Sequence, residues 1–178
     1  KIAHKCGQVG LAYTDLLCPH AILRQTPKTL ALAATDPDDS PIGFQLFGDD
    51  PDLLCQACQW AKSHGADVVD LNMGCPVDRI TSQNHGAALL KCPDASLKLI
   101  EKMVAALGDT PMTCKIRLGW NWDNIVAPYL VKRMADIGVK AVTVHGRTAK
   151  MGFSGHASLD HIAQAVAATT IPVIGNGD

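Results

Sequence analysis

From Ile42 onward, short apolar strand patterns alternate with amphipathic helix patterns, which limits the chain to parallel strands joined by right-handed crossovers. Ile42-Gly43-Phe44-Gln45-Leu46-Phe47 reads as a strand stopped by Gly48. Asp50-Pro51 then supplies an N-cap and a proline at the first helical position, predicting a helix to about His64, where Gly65 ends it. Residues 67–72 read as the next strand, followed by a long connection to about Pro93. Asp94 is the expected cap of a helix whose Leu97, Ile100, Val104 and Leu107 share one face. The pattern repeats with a strand over 112–118 and a helix capped by Asp123 and ended by Gly138. A strand over 141–145, a helix from about Ser158 and a strand over 171–174 complete it. Residues 10–14 suggest an earlier strand, with a helix from about Pro19. Residues 27–41, with three prolines and several aspartates, read as a loop.

Two architectures satisfy this alternation: a doubly wound sheet and a (β/α)8 TIM barrel. No GxGxxG joins an early strand to its helix, which argues against a dinucleotide-binding Rossmann domain. Gln45, Asn72, Lys115, Arg117, His145 and Asn176 fall in or just beyond the C-terminal parts of successive strands. In a barrel those ends converge on the usual active-site face. The expected fold is therefore α/β, a (β/α)8 barrel of which about two strands, the first and the last, are missing. The chain opens at Lys1-Ile2-Ala3-His4 and closes just past a strand pattern, which suggests a fragment cut at both ends.

Composition narrows the function classes. Hydrophobic residues make up 47% of the 178, enough for a core and against disorder. No apolar run approaches the roughly 18 residues that span a bilayer. With 16 basic and 17 acidic residues, the net charge of −1 gives no global attraction to nucleic acid, although local patches remain open. Seven cysteines, an odd number set within apolar periodic segments, favour free thiols and a cytoplasmic location. Cys55-Gln56-Ala57-Cys58 is a CxxC, but no second pair or matched histidines follow. Core packing is its simpler reading, and no metal is expected.

The most reactive placement is Cys75 in Leu71-Asn72-Met73-Gly74-Cys75-Pro76, directly after a strand on the expected ligand face. A thiol there can donate a proton or act as a nucleophile. The long connection that follows suits a binding loop or lid. Together with Gln45-Leu46-Phe47-Gly48, Gly86-Ala87-Ala88-Leu89-Leu90, Lys115-Ile116-Arg117-Leu118-Gly119-Trp120, His145-Gly146-Arg147-Thr148 and the 172–178 stretch, it resembles the tRNA-dihydrouridine synthase family in order and approximate spacing.

That resemblance implies residues 1–178 as a partial FMN-binding barrel domain, without the family's C-terminal helical tRNA-binding domain. It implies FMN-dependent reduction of a uridine base in tRNA to 5,6-dihydrouridine, with NADPH as reductant. Cys75 matches the catalytic cysteine, which protonates one carbon while hydride reaches its neighbour. Gln45, Lys115, His145, Asn176 and Gly177 are the expected cofactor contacts. Lys115 would stabilise negative charge on the reduced ring. Asn176 and Gly177 would offer backbone N–H groups to the FMN phosphate. Asn72 is expected to pair with the uracil edge. Arg117 and Arg147 would either meet phosphates or stand as solvated or salt-bridged side chains. Trp120 and Trp122 either stack on RNA bases or pack the loop. Asn84-His85 stands where the family often carries glycines. Two alternatives stay open: an FMN barrel oxidoreductase acting on a free pyrimidine, similar to dihydroorotate dehydrogenase, and a non-catalytic tRNA-binding module.

Overall fold

The computed structural model describes residues 7, 9–36 and 39–178. Cys6, the Lys1-Ile2-Ala3-His4 start and positions 37 and 38 of the predicted loop lie outside the described residues. Six parallel strands form one sheet: β1 (Ala12–Tyr13), β2 (Ile42–Leu46), β3 (Val68–Met73), β4 (Met112–Arg117), β5 (Ala141–His145) and β6 (Val173–Asn176). Their spatial order is their chain order. A doubly wound sheet reverses at a switch point; this one steps the same way at every crossover and so curls. The Tyr13 hydroxyl lies 3.2 Å from Thr113 Oγ1. β1 and β4 would stand about 14 Å apart in a flat sheet, at about 4.8 Å per step. Side chains perpendicular to a flat sheet would not meet across that gap, so the face between them is concave. The architecture is an incomplete (β/α)8 barrel.

The helices are α1 (Pro19–Leu23), α2 (Pro27–Ala33), α3 (Pro51–Ser63), α4 (Asp78–Thr81), α5 (Pro93–Leu107), α6 (Ala127–Ile137) and α7 (Leu159–Ala167), with a 3-10 helix over Gly86–Lys91. Asp50 caps α3 as expected, accepting from the N–H groups of Asp52 (2.9 Å) and Leu53 (3.0 Å). Cys58 on α3 is fully buried, and burial pushes its thiol pKa up to about 12. It is a core residue, and all six described cysteines are free thiols.

Strand register sorts side chains onto two faces. Leu46, Leu71, Cys114, Val142 and Val173 form one row, and Met73, Ile116, Val144 and Gly175 another. The large residues of these rows belong to the core packed under the helices. The alternate positions form polar rows: Gln45, Asp70 and Thr113; then Asn72, Lys115 and Thr143; then Arg117, His145 and Asn176. A period of two therefore places the expected site residues on the concave face.

Four expectations shift. Residues 27–33 are helical: Thr26 Oγ1 accepts from Thr29 N at 3.3 Å, Pro27 occupies the first turn, and an Ala/Leu run follows. α5 starts one residue before Asp94, with Cys92 at the N-cap and Asp94 in the first turn. α6 starts at Ala127 rather than beside Asp123, because the N–H groups of Val126 and Ala127 both bond the Leu118 carbonyl (2.8 and 2.9 Å). Gly119 permits that approach: a Cβ there would lie 1.7 Å from the Asn124 carbonyl oxygen. β6 runs to Asn176, since its register follows β5 to His145.

Candidate active site

Cys75 leaves β3 on a backbone held from both sides. Its N–H donates to Asn72 Oδ1 (3.0 Å), as does that of Gly74 (3.2 Å). Its carbonyl accepts from Ala87 N–H at 3.0 Å. Gly86 makes the second contact possible. Its φ is +59°, and a Cβ would lie 2.8 Å from the Cys75 carbonyl oxygen. The thiol itself is half-buried. Asn84 sits at φ +61°, a left-handed conformation that asparagine tolerates and that glycine would adopt freely.

A chain of amides runs from Cys75 into the barrel. Because Asn72 Oδ1 accepts two backbone donors, its Nδ2 faces Gln45 Oε1 (3.2 Å). Gln45 Nε2 then donates to Asp70 Oδ2 at 2.8 Å. The other Asp70 oxygen accepts from the Thr113 hydroxyl at 2.6 Å. Asp70 is 3% exposed. Burial raises its pKa, opposed by the bonds from Thr113 and Gln45 and by the Lys115 charge. The buried carboxylate thus sets the orientation of both amides.

The second cluster spans β4 to β6. Asn176 Oδ1 accepts from Lys115 Nζ (2.9 Å) and lies 2.8 Å from His145 Nδ1. Arg147 Nη1 stands 3.2 Å from His145 Nε2. A guanidinium only donates, so Nε2 is the acceptor and Nδ1 carries the proton. Burial lowers the His145 pKa, the Asn176 bond raises it, and Arg117, Lys115 and Arg147 lower it; the net shift is downward. Burial and the Arg117 charge also lower the Lys115 pKa, against the pull of Asp70. His145 is therefore expected neutral, in its Nδ1–H form, at and above the ordinary histidine pKa of about 6.5. Its contribution to folding is complete above that value and is lost as the pH falls through the depressed folded-state pKa. Nitrogen-15 chemical shifts of the His145 ring would test this; an Nε2–H tautomer at neutral pH would contradict it.

Of the two arginines, expected either to meet phosphates or to be solvated or salt-bridged, Arg117 bonds protein carbonyls and Arg147 is salt-bridged to Asp178. Arg117 is 3% exposed. Its Nε donates to Gly74 O (2.9 Å), and its Nη1 to Thr148 O (2.9 Å) and Gly152 O (2.7 Å). It clasps the loop after β3 to the loop after β5. Arg147 donates to Ser154 O (3.2 Å) and Gly155 O (2.8 Å) and pairs with Asp178. Gly177 lies close under the loop before α7: a Cβ there would lie 2.5 Å from Ala157 Cβ.

Comparison with known proteins decides the family. The model of the family described as "Dihydrouridine synthase (Dus)" matches residues 1–178. The chain belongs to the dihydrouridine synthase family. Among similar proteins of this family, "Probable tRNA-dihydrouridine synthase 1" of Synechocystis is 38% identical over 180 aligned positions, covering 100% of this chain and 50% of the relative. "tRNA-dihydrouridine synthase B" of Vibrio vulnificus is 34% identical, covering 95% and 52%. The chain thus spans about half the length of the curated relatives it matches. A solved structure of a putative lyase/mutase from Burkholderia cenocepacia shares the fold, with a TM-score of 0.58 at 16% identity over 90% of this chain and 60% of that one.

Within this dihydrouridine synthase domain, Asp70, Thr113 and Tyr13 join the hydrogen-bonded network of the candidate site without having been expected there. Asp70 was visible as a carboxylate two positions before Asn72 in a strand, and so on its face. Of the two expected stacking rings, Trp120 has the Lys91 ammonium 3.8 Å from its ring centroid, and Trp122 packs beside His161 at 5.5 Å. Among the described residues, no His/Cys/Asp/Glu group could hold a metal, and no helix is long and apolar enough to cross a membrane.

Proposed function

We propose that this chain is the barrel portion of an FMN-dependent tRNA-dihydrouridine synthase, which reduces the C5=C6 bond of a uridine base in cytoplasmic tRNA using NADPH. The observation that carries this reading is the ordering of Cys75 at the mouth of the concave face that bears Lys115, His145 and Asn176. The names of the relatives point to the same substrate.

The donor set fits a flavin. Lys115 retains ammonium hydrogens beyond its single bond to Asn176, and Gln45 retains one amide hydrogen beyond its bond to Asp70. At the β6 edge, a cleft of about 520 Å³ is lined by Asn176, Gly177, Asp178 and the start of α7. Gln45, Lys115 and His145 would hold the ring, and Asn176 and Gly177 the phosphate side. FMN held there and reduced by NADPH would supply the hydride for one carbon of the uracil double bond. Cys75 delivers the thiol proton to the neighbouring carbon. Asn72 keeps the Cys75 backbone fixed while this occurs, and the Nδ2 hydrogen left over from its bond to Gln45 is the one it would offer the base. Lys115 places positive charge beside the ring, and its lowered pKa reflects the burial that strengthens this field.

The full-length protein with FMN, NADPH and unmodified tRNA is expected to form dihydrouridine and to show a flavin absorbance spectrum. A colourless protein, or one that oxidises dihydroorotate and leaves tRNA unchanged, would overturn the reading. Lys115→Ala is expected to weaken flavin retention or slow flavin reduction by about tenfold. Wild-type occupancy and reduction rate together would count against its position at the ring.

A further inference from the structure

Beside Cys75 lies a groove that the proposed reaction does not use. It encloses about 420 Å³ and is lined by Pro76, Val77, Asp78, Trp120, Lys150 and Phe153, among others. Pro76, Val77 and Asp78 directly follow Cys75, and the Arg117 clasp ties Gly74 on one side to Gly152 on the other. The groove is therefore continuous with the catalytic loop and rigidly joined to it.

Its surface combines two features that rarely coincide. Phe153 is 78% exposed, the most exposed large hydrophobic residue described, and Val77 opposite is 51% exposed. The inner side of the Phe153 ring lies over the Arg117 guanidinium, 5.6 Å from Cζ to the centroid, which holds the ring in place and leaves its other face to solvent. Two ammonium groups flank the Trp120 indole of the wall: Lys150 Nζ, which lines the groove, is 5.5 Å from its centroid, and Lys91 Nζ, from the neighbouring 3-10 helix, is 3.8 Å from it. Neither lysine has a carboxylate partner among the described residues. Both lysines hold positive charge beside the same ring, so an anion placed there is attracted to each. Asp78 and Lys150 are the charged groups of the wall and balance each other, so the positive excess comes from Lys91 beside Trp120.

We propose that this groove takes an unpaired nucleotide of the RNA substrate adjacent to the target uridine, its base on Phe153 and its phosphate between Lys91 and Lys150. An exposed aromatic face flanked by unpaired cations is the recognition chemistry of single-stranded nucleic acid. The inference rests on the proposed tRNA reading and deepens it by naming a subsite.

The test uses full-length protein. Phe153→Leu keeps apolar volume over Arg117 but removes the π-face; Phe153→Tyr restores that face. Phe153→Leu is expected to raise the KM for tRNA about tenfold, with flavin content and the KM for NADPH at wild-type values. Phe153→Tyr should restore the tRNA KM, and Lys150→Gln should weaken tRNA binding and flatten its salt dependence. An unchanged tRNA KM in Phe153→Leu would overturn the proposal. So would a rise in the KM for NADPH alone, which would assign the groove to the adenosine of the reductant. If the wild-type protein makes no dihydrouridine, the tRNA reading itself has failed. Fluorescence anisotropy with a single-stranded RNA oligonucleotide then decides the groove: weaker binding by Phe153→Leu supports it, and equal binding overturns it.

Discussion

Arg117→Ala is expected to destabilise the full-length protein by about 3–5 kcal/mol, read as a lower urea midpoint. The side chain is 3% exposed and satisfies three backbone carbonyls, at 2.9 Å to Gly74, 2.9 Å to Thr148 and 2.7 Å to Gly152. Truncation strands all three, and each buried orphan costs roughly 1–3 kcal/mol. Relaxation and water entry reduce the sum. Arg117→Lys should recover little of the loss, because one ammonium at the end of a flexible stem cannot reproduce a planar fork. Activity should fall in both variants, since the clasp fixes the residue next to Cys75. A midpoint for Arg117→Ala within about 0.5 kcal/mol of wild type would remove the clasp from the account.

Cys75→Ala should lower the rate of uridine reduction by about 10²–10⁴-fold, the usual contribution of a positioned general acid. Alanine leaves untouched the backbone bonds from Cys75 N to Asn72 and from Ala87 N to the Cys75 carbonyl, so the loop and the flavin content should persist. Dihydrouridine measured by mass spectrometry after a single turnover reads the effect without interference from product release. A single-turnover rate within threefold of wild type would deny the thiol its role as proton donor.

Several features of this site were legible as residues but not as contacts. The Asn72-Met73-Gly74-Cys75 turn could be placed after a strand, yet its stability comes from Gly86 and Ala87, in the long connection after α4. Arg117 and Arg147 carry the same charge in sequence whether they face phosphate or protein. Arg147 does meet a side-chain carboxylate, Asp178, but their other acceptors include the carbonyls of Gly74, Thr148, Gly152, Ser154 and Gly155, and no side-chain identity announces a carbonyl partner. Helix starts shifted for a related reason. Asp94 and Asp123 are good caps by type, but the backbone of Cys92-Pro93 and the pairing of Val126 and Ala127 with Leu118 fix where the turns begin. Phe153 reads as an ordinary hydrophobe until its 78% exposure is known.

The sequence alone determined the alternation of elements, the barrel class and the order of the motifs, because hydrophobic periodicity and capping chemistry are local. Tertiary structure decided which polar residues meet. Parallel register aligned Asn72 with Lys115 and Arg117 with His145 and Asn176, and curvature brought Tyr13 from β1 to Thr113 on β4. Those pairings depend on hydrogen bonds between strands tens of residues apart, and a one-residue slip would turn every polar side chain from the concave face into the helix layer.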